Sequence, residues 1–242
     1  MARRPTSGRN DGPLLHAGDR LTQAEFHRLY NQMPECYRLE LVGGVVFEPP
    51  PAGLDHSDIQ SFLNGAFLSY AGRTPGLQMG ADATVILSNE DEIQPDIFLR
   101  ILPQYGGQSG NTVEKRIGSR QFGTRYIKGA PELLAEVSHT TKTIDLHRKK
   151  ERYLFGGVLE YAVVCLDPHK IFWFDLKNHI QLKASKDSIW RSVFFPGLWI
   201  NGKAVFEGNY QLLMDTIDAG MATVEYAQFR ESLAKRLGSA TQ

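Results

Sequence analysis

The sequence predicts an α/β chain built on a strand–helix–strand crossover, entered through a helix and a hairpin and closed by a helical tail. The crossover lies in Pro131 to Tyr161, PELLAEVSHTTKTIDLHRKKERYLFGGVLEY. Leu133, Ala135 and Val137 alternate there with Glu132, Leu134, Glu136 and Ser138, the period of two of a strand with different surroundings on its two faces. Ser138, Thr140 and Thr141 then offer N-cap oxygens to a helix, Gly156-Gly157 ends it, and Val158 to Asp167 reads as a second apolar strand. Such a crossover is almost always right-handed. The entry hairpin is Tyr37 to Val42, Gly43-Gly44, then Val45 to Glu48. The tail, Tyr210 to Leu237, carries Leu212, Leu213, Ile217, Met221, Phe229 and Leu233 and reads as one or two amphipathic helices.

The remaining elements follow in order. Residues 1–19 are rich in Arg, Gly, Pro and Ser and read as a disordered tail, leaving 20–207 as the main domain and 208–242 as the helical extension. Thr22 and Glu25 have the spacing of a capping box that opens a short helix to about Met33. After Pro49-Pro50-Pro51, Leu54 to Tyr70 carries Ile59, Phe62, Leu63, Ala66 and Phe67 at helical spacing. Ala83 to Leu87 reads as a strand followed by the acidic turn Asn89-Glu90-Asp91-Glu92, and Pro95 to Ile101 as the next strand. Leu102 to Ala130, glycine-rich and poor in apolar residues, reads as a long segment without regular structure. Its cations Lys115, Arg116, Arg120, Arg125 and Lys128 fit an arm that touches phosphates, and equally an idle surface loop. Ile171 to Asp175 completes a hairpin with the preceding strand, and Phe194 to Trp199 reads as an edge segment.

Composition excludes several classes. Length and an apolar content of 42% are those of one sizeable globular domain with additions, and a formal net charge of zero gives no whole-molecule case for nucleic acid or membrane. The charge is uneven: Glu114 to Arg152 holds ten Lys and Arg against five Asp and Glu, a basic patch open to a polyanion or simply to water. Cys36 and Cys165 lie far apart, which argues against a disulfide framework or zinc knuckle and suits a reducing cytoplasm. The basic N-terminus lacks the apolar core of a signal peptide, and no run is long enough for a membrane span.

Glu136 is the anomaly, a carboxylate within an apolar strand that needs a cation or a metal as partner. If the strand from Asp96 pairs antiparallel with the strand ending at Ser138, the two acids lie side by side. Carboxylate oxygens with open water positions are the ligands that Mg²⁺ and Mn²⁺ prefer, and a metal so held can polarise a phosphodiester oxygen and activate water. The plainer reading is that both acids cap strand ends or pair with surface arginines. On the following helix, Lys149 and Lys150 both flank the line from Leu146 to Tyr153, so helical spacing does not choose between them. Asp145, four residues before Lys149, makes an ordinary surface ion pair the simplest account of that lysine.

These pieces, in order, resemble the Uma-type family, bacterial restriction-endonuclease-like proteins within the PD-(D/E)XK nuclease superfamily. The series is Leu21-Thr22 to Phe26, Leu39-Glu40-Leu41-Val42-Gly43-Gly44, the prolines followed by His56, Pro95-Asp96, Pro131 to Ser138, Asp145, Lys149, Tyr153, Gly157-Val158 and Glu160-Tyr161. It covers roughly Leu21 to Gly202 and is far more specific than any single motif. The resemblance implies a restriction-endonuclease-like mixed sheet flanked by helices and a divalent-metal site that cleaves DNA. It implies that Asp96 and Glu136 bind the metal with help from the Val137 carbonyl, that Lys149 is the active-site lysine and that Glu40 completes the acidic site. Ser138 stands where the superfamily's usual pattern has its lysine, so a side chain from the helix must reach that place. His56 matches a family position as either a helix contact or a catalytic group. The expected function is a Mg²⁺- or Mn²⁺-dependent endonuclease acting on DNA, for which paired cuts on duplex favour a two-fold dimer. Its rivals are a nucleic-acid- or protein-binding module that kept the fold without turnover, and a hydrolase of another phosphoester.

Overall fold

The computed structural model describes residues 14–34, 37–112, 115–117, 120–122 and 125–239. Cys36, residues 1–13 of the expected tail, and the side chains of Lys115, Arg116 and Arg120 lie outside the described residues. Among the described residues no helix is long and apolar enough to cross a membrane.

The chain enters through α1 (Gln23–Tyr30), capped reciprocally by Thr22 and Glu25 as their spacing predicts. The hairpin of β1 (Glu40–Val42) and β2 (Val45–Phe47) turns through Gly43 and Gly44 at φ 59° and 72°. Two successive positive φ values are what a two-residue turn matched to strand twist requires. α2 (Leu54–Gly72) leads into β3 (Leu77–Gly80), β4 (Val85–Ser88), β5 (Asp91–Ile93) and β6 (Ile97–Ile101). β7 (Gly110–Asn111), β8 (Lys115–Ile117), β9 (Arg120–Phe122) and β10 (Ile127–Lys128) are short. The crossover is β11 (Leu133–Ser138), a π-helical stretch Ile144–Lys149 running into α3 (Lys150–Gly156), and β12 (Glu160–Leu166). Then come β13 (His169–Asp175), β14 (Ile180–Leu182), β15 (Ile189–Arg191), β16 (Trp199–Asn201), α4 (Gly202–Phe206), α5 (Tyr210–Met221) and α6 (Val224–Ser239).

Two six-stranded mixed sheets result, ordered β2-β1-β5-β4-β10-β7 and β14-β13-β12-β11-β6-β3. In the second, β11 pairs parallel with β12 and antiparallel with β6, so the crossover is present. Its two faces bury different partners. Leu133, Ala135 and Val137 join Ile97, Leu99 and Ile101 in a core covered by α2, α4, α5 and α6. Leu134 joins Phe98, Val163, Val85 and Ile93 in a core shared with the other sheet and α3. A slip of one residue would exchange the faces and drive Glu136 into the helix-covered core. Burying each large apolar side chain is worth roughly 2 kcal/mol, so the register that buries this triad also dictates where the carboxylate points.

Four sequence readings change. Asn89 and Glu90 form the acidic turn, but Asp91 and Glu92 open β5 and are buried. Asp91 takes Arg152 Nε at 2.9 Å and the Gly43 N–H at 2.8 Å, and Glu92 takes His27 Nδ1 at 2.8 Å, partners too distant in sequence for local spacing to reveal. The stretch expected to lack structure contributes β7 and β10 to the first sheet, where β10 pairs parallel with β4. Residues 14–19, assigned to the tail, pack through Leu15 and bond main chain to main chain with the hairpin. The expected edge segment, Phe194 to Trp199, is mostly the loop that joins β15 and β16, which pair as a two-stranded ladder. That loop is held by Glu160, which accepts from Ser192 Oγ and the Val193 and Phe194 N–H groups at 2.6–2.7 Å.

The glycine pair after the crossover helix has two separate causes. Gly157 sits at φ 92°, the left-handed cap that ends α3, whereas a Cβ on Gly156 would overlap the Leu87 side chain. Gly157→Ala is expected to cost about 1 kcal/mol and Gly156→Ala about 1–3 kcal/mol through overpacking, read as urea midpoints. Equal, negligible costs would show that neither constraint holds.

Candidate active site

The site begins with strand register. Ala135 faces Ile97 across the β11–β6 ladder, so Glu136 and Asp96 come next to each other on the face turned toward the first sheet. The Val137 N–H donates to Asp96 Oδ2 at 2.7 Å, and the Asp96 N–H reaches Glu136 Oε2 at 3.5 Å. β1 brings Glu40 from the other sheet, its Oε1 accepting from the Gln94 N–H at 2.8 Å.

The helix then supplies one cation. Lys149 Nζ lies 3.0 Å from both Glu136 Oε1 and Glu40 Oε2, and the Tyr153 hydroxyl donates to the same Glu136 Oε1 at 2.7 Å. Lys150 instead lies over the Phe174 ring. The surface ion pair expected of Asp145 and Lys149 is absent: both are buried, and Asp145 accepts from Thr141 Oγ1 at 2.6 Å. The lysine belongs to a π-helical stretch, a geometry frequent at functional sites. Relative exposures are 1% for Glu40, 7% for Asp96, 5% for Glu136 and 5% for Lys149, so these charges act in a medium of low polarity. All four line one cavity of about 300 Å³ with Arg38, the Pro49 to Gly53 loop, His56 and His139. His56 Nε2 stands 3.3 Å from Asp96 Oδ2, while its Nδ1 is buried without a hydrogen-bond partner among the described residues.

Four acids, Glu40, Asp96, Glu136 and Asp145, thus share Lys149 and His56. Burial pushes the Glu136 carboxyl well above the usual carboxylate range; Lys149 offsets part of this, while Asp96, Asp145 and Glu40 add to it. Burial likewise raises Asp145. Asp96 is held low: burial opposes its charge, but the bonds from His56 and Val137 outweigh it. Burial also opposes the Lys149 charge, yet Glu136, Glu40 and Asp145 outweigh that and keep the ammonium protonated.

This donor set suits a hard divalent cation. Among the described residues Asp96 Oδ1 takes no hydrogen bond, and Glu136 Oε2 has only the long contact from the Asp96 N–H. Each acid therefore anchors one oxygen on protein and leaves the other able to meet a metal, in a cluster whose acids outnumber its cations. No three Asp, Glu, His or Cys side chains among the described residues group as metal ligands. Two carboxylates and a carbonyl would be the chain's share, with water completing the sphere, as Mg²⁺ tolerates well.

The residue whose role sequence reasoning missed is Tyr153. Its one signal was the spacing Asp145, Lys149, Tyr153, four residues apart along one helical side. Tyr153→Phe is expected to cost about 1–3 kcal/mol in urea unfolding by stripping a donor from a buried carboxyl. An unchanged midpoint would remove Tyr153 from the network.

A family model described as "Putative restriction endonuclease", Uma2, matches residues 23–203. The chain belongs to the Uma2 family. The Uma2 match spans Glu40, His56, Asp96, Glu136, Lys149 and Tyr153 and leaves α5 and α6 outside it. The chain is also similar to a crystal structure described as "a putative nuclease belonging to DUF820" from Anabaena variabilis ATCC 29413, with TM-score 0.57 and 16% identity. That likeness covers 74% of this chain and 96% of the other, and at such identity it speaks for a nuclease-type fold and not for residue roles. No curated protein matches the chain.

Proposed function

We propose that this Uma2 protein is a divalent-metal-dependent endonuclease hydrolysing DNA phosphodiester bonds. The supporting observation is the convergence of Asp96, Glu136 and Lys149, from two neighbouring strands and the crossover helix, on one cavity. Asp96 and Glu136, with the Val137 carbonyl, would hold Mg²⁺ or Mn²⁺. When bound, that ion supplies Lewis acidity at a phosphodiester oxygen and lowers the pKa of water.

The protein's own groups do the rest. Lys149 stays protonated, so it serves as a fixed donor that orients the attacking water and steadies negative charge, not as a base. Glu40 and Glu136 hold its ammonium from two sides. Tyr153 occupies the Glu136 oxygen that faces Lys149 and so keeps the carboxyl plane in place. The test is supercoiled plasmid with Mg²⁺, for the protein and for Asp96→Ala and Glu136→Ala. Nicking by the first alone supports the proposal; nicking that survives both changes points to another site or a contaminant.

One observation favours a second reading, a nucleic-acid- or protein-binding module without turnover. Glu136 Oε1, Glu40 Oε1 and Asp96 Oδ2 already have protein partners, so the cluster closes on itself. Such a module would show no carboxylate-dependent Mn²⁺ binding and only a salt-dependent affinity for DNA.

A further inference from the structure

Arg38 and Glu40 line the cavity, whereas Leu39 and Leu41 lie in the core that holds Phe26 of α1. The alternation of β1 thus extends back to Arg38 and presents two charged groups to the site from one side. The two end differently. Glu40 is buried, but the Arg38 side chain is 45% exposed. Among the described residues the Arg38 guanidinium has one hydrogen-bond partner, Asp82, whose Oδ1 accepts from Nη2. Gln60 Nε2 donates to the other oxygen of Asp82 and to the Asp96 carbonyl, each at 3.2 Å. A single amide therefore separates the partner of Arg38 from the main chain of Asp96.

A phosphodiester entering this cavity meets the acids Glu40, Asp55, Asp96, Glu136 and Asp145. One metal ion offsets only part of that charge. Lys149 is buried and shared by Glu136 and Glu40, so it is committed within the cluster before any anion arrives. Arg38 is the only arginine in the lining among the described residues, and most of its N–H groups are open. Its planar fork matches two phosphate oxygens at once, which a lysine's point charge does not. An ion pair that only ties the chain before β1 to Asp82 would leave those open donors and their place at the cavity without a use. We propose that Arg38 receives the DNA backbone at the mouth of the site, gripping a phosphate through two N–H groups while Asp82 and Gln60 hold the guanidinium in place. The proposal rests on the nuclease reading of Asp96 and Glu136.

The test is fluorescence anisotropy of a labelled duplex oligonucleotide with the native protein, Arg38→Gln, Arg38→Lys and Asp82→Asn, from about 50 to about 200 mM salt. Ca²⁺ replaces Mg²⁺ as a hard, oxygen-bound cation, a gel confirms that the duplex is uncut, and circular dichroism confirms folding. Arg38→Gln should bind about tenfold more weakly, and its log affinity should fall with log salt less steeply by about 1. Arg38→Lys should recover the slope but only part of the affinity, because the charge returns without the fork. Asp82→Asn should keep the native slope, since the guanidinium is still there. Native affinity and slope in Arg38→Gln overturn the proposal. So does an equal loss in Arg38→Gln and Asp82→Asn at the native slope, which is what a mere tie between the two gives. Binding that ignores Arg38 removes this role alone; no binding by any of the proteins removes the nuclease reading and the role with it.

Discussion

Asp96→Asn is expected to lower the proposed Mg²⁺-dependent plasmid cleavage by about 10³-fold or more while leaving the fold in place. Asparagine keeps the shape of the side chain and a carbonyl oxygen for the Val137 N–H, which Asp96 now receives at 2.7 Å. What it removes is the charge. Asp96 is held low against the cost of burial, so the oxygen proposed to meet the metal is ionised at neutral pH. The urea midpoint should move by no more than about 1 kcal/mol, since one buried hydrogen bond is retained. Cleavage by the Asn variant at the native rate would put the reacting centre elsewhere.

Lys149→Met is expected to destabilise the protein by about 3–5 kcal/mol, the cost of breaking a buried ion pair from one side. Its ammonium stands between Glu136 and Glu40 at 3.0 Å from each, and Asp145 adds to the same field. Methionine fills the volume and leaves the acids facing one another. The double change Glu40→Gln with Lys149→Met should recover part of the loss, because one of the stranded charges goes with it. Urea unfolding of the two single variants and the double variant reads the coupling. No destabilisation by Lys149→Met would mean that the acids carry their own protons and that Lys149 does not hold the cluster together.

Much of the site was legible because strand alternation is a local rule. The spacing of Leu133, Ala135 and Val137 commits Glu136 to the opposite face, and antiparallel pairing then brings Asp96 beside it. The capping box at Thr22 and the glycine turn of the hairpin were legible for the same reason. The acidic turn misled because Asp91 meets Arg152, 61 residues further on, and composition alone makes a run of acids look solvated. The glycine-rich segment misled because β7 and β10 are two-residue strands, too short to show a period.

The amino-acid order by itself determined which side chains share a face, where the first helix starts and the crossover helix stops, and that one carboxylate would stand among apolar neighbours. These follow from backbone geometry repeating over a few residues. Only the tertiary structure decided that Lys149 and not Lys150 meets Glu136, that Tyr153 shares that oxygen, and that Glu40 arrives from a second sheet. Neighbouring lysines on a helix are equivalent until another element approaches one of them. The free energy that separates them comes from burying charges contributed by strands far apart in the chain.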